Sequence, residues 1–116
     1  MDKPLTEKAR AAISEAQGQA LDRNHATLEP EHVLLALVTQ SDGLASSLVR
    51  RLGREPSALA AKAEQALDRL PVGAAPDQEL RASTRFARMM RQAGKAMERL
   101  GDEYVSVEHL LLALTE

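Results

Sequence analysis

The sequence predicts an all-α fold built from a duplicated, pseudo-twofold helical repeat. The stretch EHVLLAL at 31–37 occurs again as EHLLLAL at 108–114, so that His32 and His109 lie 77 residues apart without a gap. The chain is 44% apolar but has only one Phe and one Tyr, which favours a core of close-packed aliphatic helices. Because a repeated unit usually cannot bury its apolar face alone, we expect the two halves to share one core. The same offset pairs Ala16 with Ala93, Ile13 with Met90, and Leu5-Thr6 with Ala82-Ser83.

Apolar residues at spacings of three and four predict four helices in the first half. The first spans Leu5 to Leu21, and the second begins at Pro30, since proline is favoured in the first helical turn. This second helix is apolar nearly all round and is expected to lie buried at the centre. A third helix of about two turns ends at Gly53, and Pro56 begins a fourth.

The second half is predicted to repeat the first only in part. Residues 71–76 contain two prolines and form a linker between repeat one (1–70) and repeat two (77–116) within one domain, 1–116. Asp77 is predicted to cap a fifth helix that runs to Leu100, followed by the second central helix. Because the first copy continues into two further helices and the second has none, we expect repeat two to be incomplete and the chain to be a fragment. The predicted core side of the fifth helix carries Phe86, Met90, Ala93, Met97 and Leu100.

Bulk composition excludes several classes of protein. The net charge of −2 gives no reason to expect nucleic acid or an anionic membrane as partner. The chain has no cysteine, which excludes disulfides and thiolate metal sites and is compatible with a reducing cytosol. No apolar run approaches the roughly 18 residues of a membrane span, and the N-terminus lacks a signal-peptide stretch.

The histidines do not predict catalysis or metal binding. His32 and His109 occupy the same place in the two repeats and lack the partner ligand at helical spacing that a motif such as HExxH supplies. We therefore expect structural histidines at the start of buried helices, and His25 in a loop. A nucleophile elbow and a phosphate-binding Gly-rich loop are both missing from the sequence, so no enzymatic activity and no cofactor is expected.

A basic set in the fifth helix needs separate consideration. Nucleic-acid binding would require stacking aromatics or a basic domain, and the sequence has neither. We expect a solvated face, with a docking surface for an acidic partner as the alternative. The set comprises Arg81, Arg85, Arg88, Lys95 and Arg99.

Five sets of short stretches stand out along the chain: LTEKA at 5–9, QSDG at 40–43, ALDRLP at 66–71, GDEYV at 101–105 and both EHxLLAL copies. Their order and spacing resemble those of the Clp/Hsp100 amino-terminal domain, an all-helical double repeat at the front of ATP-driven protein unfoldases. The LDRLP run at 67–71 is most similar to the ClpB disaggregase branch, whereas EHxLLxL is shared with the ClpA and ClpC branches. The family domain has about eight helices, and this sequence has six.

The resemblance implies a recognition function. It implies a cytoplasmic, monomeric domain that binds exposed apolar segments of unfolded or aggregated proteins, without nucleic acid or membrane, and delivers them to a hexameric ATPase. The alternative is an adaptor- or degron-docking domain of a ClpA/ClpC-type unfoldase that feeds a protease. ATP and magnesium are expected only for ATPase modules outside this chain, because its sequence contains no Walker A motif.

The resemblance also implies site residues. The family's substrate groove has a threonine, an aspartate and a glutamate at the positions of Thr6, Asp102 and Glu108, beside exposed apolar side chains. The alternatives are a helix cap for Thr6, a turn residue for Asp102 and a dipole-satisfying acid for Glu108. Met89 and Met90 cannot face one core equally, so one of them is expected in the groove. Replacing Asp102 or Glu108 with Ala is predicted to weaken substrate binding and to leave the fold intact.

Overall fold

A computed structural model describes residues 3–73 and 79–115. The all-α class is confirmed, although two strands of two residues, β1 (Thr27–Leu28) and β2 (Arg81–Ala82), pair in parallel. None of the helices in these ranges is long and apolar enough to cross a bilayer. The helices are α1 (Glu7–Asp22), α2 (Pro30–Val38), α3 (Leu44–Arg51), α4 (Pro56–Asp68), α5 (Thr84–Arg99) and α6 (Val107–Leu114).

The two repeats match in detail at the ends of their long helices. Both ends of α5 lie 77 residues after those of α1. Thr6 and Ser83 are the N-caps, and each side-chain oxygen accepts a hydrogen bond from the backbone N–H three residues later, at 3.2 and 3.0 Å. After the helices, Asn24 and Gly101 both adopt positive φ, 59° and 75°, which is the left-handed conformation common after helix ends. The sequence repeat is therefore also a structural repeat.

Backbone hydrogen bonds join each repeat to the other. The Thr6 N–H donates to the Val105 carbonyl at 3.0 Å, and the Ser83 N–H donates to the Leu28 carbonyl at 3.1 Å. These bonds are equivalent under the 77-residue offset. The residue before α1 is thus held by the segment before α6, and the residue before α5 by the segment before α2.

The central helices α2 and α6 supply much of the core, as predicted. Leu37 and Leu111 are buried, whereas Leu34 and Leu114 are only half-buried and pack against the core. Four fully buried alanines of α1 let its neighbours approach closely. They are Ala9, Ala12, Ala16 and Ala20.

The predicted start of the fifth helix was wrong, whereas its predicted end at Leu100 agrees with the structure, in which Leu100 is the C-cap. Helix α5 begins at Thr84 with Ser83 as its cap, because Arg81 and Ala82 pair with β1 and cannot also be helical. Asp77, the predicted cap, lies outside the described residues, as do residues 74–76 of the predicted linker. Leu100 is 55% exposed rather than on the core side, since it caps the C-terminus of α5.

Truncation of Leu37 should be costly. The side chain is fully buried, so Leu37→Ala is expected to lower the free energy of unfolding by about 2–5 kcal/mol through lost transfer energy and a residual cavity. Urea denaturation followed by circular dichroism measures it. Leu52→Ala is the control, because Leu52 is 65% exposed and should change stability by less than about 0.5 kcal/mol. Equal midpoints for the two variants would contradict the core position of Leu37.

Candidate functional site

A groove of about 920 Å³ runs between α1 and α5. Its floor includes the paired segments before α1, α2, α5 and α6, so both repeats are needed to form it. The apolar character of the lining residues makes it a candidate site for an apolar ligand. The lining comprises Lys3, Leu5, Ile13, Gln17, Leu28, Leu80, Ala82, Phe86, Ala87, Met90, Arg91, Gly94, Lys95, Glu98 and Val105.

Most of this lining obeys the internal symmetry. Ile13 of α1 and Met90 of α5 are equivalent under the 77-residue offset, and both are half-buried. The groove therefore lies at the junction where the repeats meet, and three of its five equivalent pairs are apolar on both sides. The equivalent pairs are Lys3/Leu80, Leu5/Ala82, Ile13/Met90, Gln17/Gly94 and Leu28/Val105.

The charges that line the groove do not obey the symmetry. Arg91, Lys95 and Glu98 all belong to α5, and Lys3 precedes α1. The Lys3 ammonium lies 2.6 Å from the Glu98 carboxylate, and its side-chain Cγ lies 3.2 Å from where a Cβ on Gly94 would stand. The lysine stem thus packs against α5 and its charge is paired.

The two adjacent methionines lie in different environments, and one of them lines the groove, as expected. Met89 is 5% exposed and belongs to the core, whereas Met90 is half-buried and lines the groove. Met90, predicted to lie on the core side, packs against the core but is only partly buried, whereas Met89 is the buried one of the two. Met90 remains the methionine that a groove ligand could contact.

Thr6, Asp102 and Glu108 do not line this groove. Thr6 is the N-cap of α1 and pairs with Val105, and Glu108 is exposed in the first turn of α6. Asp102 is exposed in the connection from α5 to α6. Asp102 and Glu108 lie near the start of α6, and Thr6 is hydrogen-bonded to Val105 in the same segment. The part of all three residues in substrate binding stays a prediction.

Asp102 has a structural partner, His109. The Ser106 N–H donates to His109 Nδ1 at 2.8 Å, so His109 fills the position of the Glu or Gln in a capping box. Its other nitrogen, Nε2, lies 2.8 Å from an Asp102 carboxylate oxygen and donates to it. His109 is buried, which confirms a structural histidine at the start of a buried helix.

The equivalent histidine of repeat one, His32, has His25 in place of the aspartate. The Glu29 N–H donates to His32 Nδ1 at 2.9 Å, which leaves Nε2–H to donate to His25 Nδ1, also at 2.9 Å. Burial, together with the charge a protonated His25 would carry, lowers the pKa of His32 to about 4. Burial and the neighbouring Arg23 lower the pKa of His25. His25 is a loop residue as expected, but it is buried.

The predicted basic face is divided in the structure. Arg81 lies in β2, not on α5, and the Arg85 guanidinium forms an ion pair with Glu31 at 2.6 Å and reaches Glu29 at 3.4 Å. Arg88 is exposed, as expected for a solvated face. Within residues 3–73 and 79–115, no cluster of three or more His, Asp or Glu side chains could hold a metal ion.

Sequence reasoning missed several groove residues, among them Ile13, Lys3 and Arg91, and it missed the hydrogen bonds of His25 and Asp102 to the two repeat histidines. Ile13 was noted only as the equivalent of Met90, and Lys3 and Arg91 were not considered at all. The 77-residue offset carried the signal in two cases, since it places Ile13 opposite the predicted Met90 and aligns His25 with Asp102. Nothing in the local sequence of Lys3 indicates that it reaches α5.

Comparison with known proteins identifies a family for nearly the whole chain. Residues 4–116 match the model of the Clp repeat (R) N-terminal domain. The chaperone protein ClpB of Nitratidesulfovibrio vulgaris is 39% identical over 97% of this chain, and that of Mycobacterium tuberculosis is 34% identical over 94%. The chain spans 13% of the length of these relatives.

Solved structures share the fold. The Hsp104 N-terminal domain from Candida albicans superposes with a TM-score of 0.86 at 27% identity, covering 98% of this chain and 75% of that one. The N-terminal domain of the ClpV1 ATPase from E. coli gives 0.83 at 28% identity, covering 96% and 67%. The match extends over both repeats.

Stability should fall in mild acid because of the buried histidine pair. Both histidine pKa values are lowered in the folded state, so the unfolded chain binds protons more readily below about pH 6.5. The stabilisation is present above that pH and is lost as the pH falls toward about 4, the pKa of His32 in the folded protein. His32→Gln keeps a capping-box acceptor and cannot titrate. Urea melts from pH 7 to 4.5 should show a shallower decline for the variant, and parallel profiles would contradict the assignment.

Because Asp102 is hydrogen-bonded to His109, its replacement by Ala is expected to lower the stability of the fold. Asp102→Ala leaves a buried His109 N–H without its acceptor and should lower the free energy of unfolding by about 1–3 kcal/mol, despite the exposure of Asp102. Asp102→Asn retains an oxygen acceptor and serves as the control. Thermal melts of both variants measure the difference, and a melt of the Ala variant that coincides with the parent would show that the bond contributes nothing.

Proposed function

Because this chain belongs to the Clp repeat N-terminal domain family, we propose that it is the substrate-recognition domain of a ClpB-type disaggregase. It binds exposed apolar segments of unfolded or aggregated proteins. Identity to the ClpB chaperones over nearly the whole chain favours this branch. The matched family is an N-terminal domain, not an ATPase module, so hydrolysis of ATP belongs to other parts of such a protein.

The observation that carries the proposal is the groove between α1 and α5. Leu5, Ile13 and Met90 give it an apolar floor that is accessible to a ligand. Folded proteins hide large apolar surfaces, so a groove of this kind distinguishes unfolded from native chains without requiring a sequence motif. Flexible methionine side chains adapt to ligands of different shape.

The chemistry of the domain limits it to binding. Each buried histidine has a structural partner: His32 is bonded to the Glu29 N–H and to His25, and His109 to the Ser106 N–H and to Asp102. Release to a motor requires weak association, and a groove with few polar contacts suits that requirement. We place such a parent protein in the cytoplasm as a hexamer.

Met90→Asn tests the groove. Loss of one apolar contact of about 1 kcal/mol should weaken binding of a reduced, carboxymethylated protein that cannot fold by about fivefold, as measured by fluorescence anisotropy. Leu52→Asn is the control, because Leu52 is an exposed apolar residue outside the groove. Unchanged affinity in the Met90 variant would overturn this location.

The same titration decides between the groove and the start of α6. Glu108→Ala changes an exposed side chain that does not line the groove, so weakened binding in this variant alone would move the site toward Thr6, Asp102 and Glu108. Binding of a folded adaptor protein, with none of the unfolded chain, would favour the ClpA/ClpC-type alternative. Circular dichroism of each variant verifies the fold.

A further inference from the structure

The groove combines a symmetric apolar floor with a one-sided set of charges. Arg91 and Lys95 lie one helical turn apart on α5, where both are exposed. At the equivalent places of α1 stand Ser14 and Gly18, which are uncharged. The charged side of the groove is therefore the α5 side.

These two cations lack partners among residues 3–73 and 79–115. Lys3 and Glu98, the other charged lining groups, neutralise each other at 2.6 Å. No carboxylate in the described ranges lies within ion-pair distance of Arg91 or Lys95, whereas Arg85 on the same helix is paired with Glu31. Among the residues that the structure describes, the groove thus presents two positive charges without an ion-pair partner.

From this asymmetry we infer that the groove selects apolar segments flanked by acidic residues. The apolar part of the segment covers the floor, and an adjacent Asp or Glu carboxylate lies against the Arg91 guanidinium and the Lys95 ammonium. Arginine can hold a carboxylate with two parallel hydrogen bonds, and lysine contributes a point charge. The inference rests on the proposed function, because it names the class of segment that the same groove binds.

Charge complementarity at an exposed rim affects selectivity more than total affinity. Two such contacts are expected to favour an acid-flanked segment by about three- to tenfold. The preference should disappear at about 1 M salt, where the screening length is about 3 Å, whereas binding by the apolar floor persists.

The test uses two fluorescent peptides with the same central apolar run. One carries aspartates at its flanks and the other carries asparagines. The acid-flanked peptide should bind the parent three- to tenfold more tightly, and the double variant Arg91→Gln/Lys95→Gln should bind both peptides equally. Arg88→Gln is the matched control, since Arg88 is exposed on the same helix but does not line the groove, and it should keep the preference.

Each other outcome overturns a definite statement. Equal binding of both peptides by the parent refutes the acidic preference and leaves the proposed function standing, whereas binding of neither peptide refutes both. A preference that survives in the double variant refutes the assignment to Arg91 and Lys95. A DNA duplex that binds the parent as tightly as the peptide, and fails to bind the double variant, refutes a peptide as the ligand of these charges.

Discussion

The exchange of backbone hydrogen bonds between the repeats determines the rest of this structure. Thr6 is bonded to Val105 and Ser83 to Leu28, so neither long helix is positioned by its own repeat alone. The bonds bring α1 and α5 to the two sides of one groove and place paired backbone on its floor. Loss of either contact would therefore disturb both the packing of the central helices and the shape of the groove.

Helical periodicity was sufficient to predict most of the fold. The central helices, the start of α4 at Pro56 and the end of α3 before Gly53 follow from local chemistry, because proline and glycine act within a few residues. The start of α5 could not be predicted in this way. Residues 81–82 are extended because strand β1, more than fifty residues earlier in the chain, pairs with them, and this constraint is not local.

The candidate site was predicted less completely than the fold. The internal offset and the pair of methionines pointed to the junction of the repeats, and Met90 does line the groove there. The pairing of Lys3 with Glu98 and the His25–His32 bond depend on tertiary approach and have no local signature. Asp102 shows that exposure can also mislead, because its side chain is exposed and yet accepts a hydrogen bond from the buried ring of His109.

The pseudo-twofold floor has a consequence for the chain direction of a bound segment. Rotation about the axis exchanges Ile13 with Met90 and Leu28 with Val105, so an extended segment and the same segment reversed meet nearly the same apolar surface. Two orientations of similar energy add about 0.4 kcal/mol to binding through multiplicity. Under the proposed function, such a groove would capture a polypeptide without regard to its N-to-C polarity, and only the position of the charges along α5 would choose between the two directions.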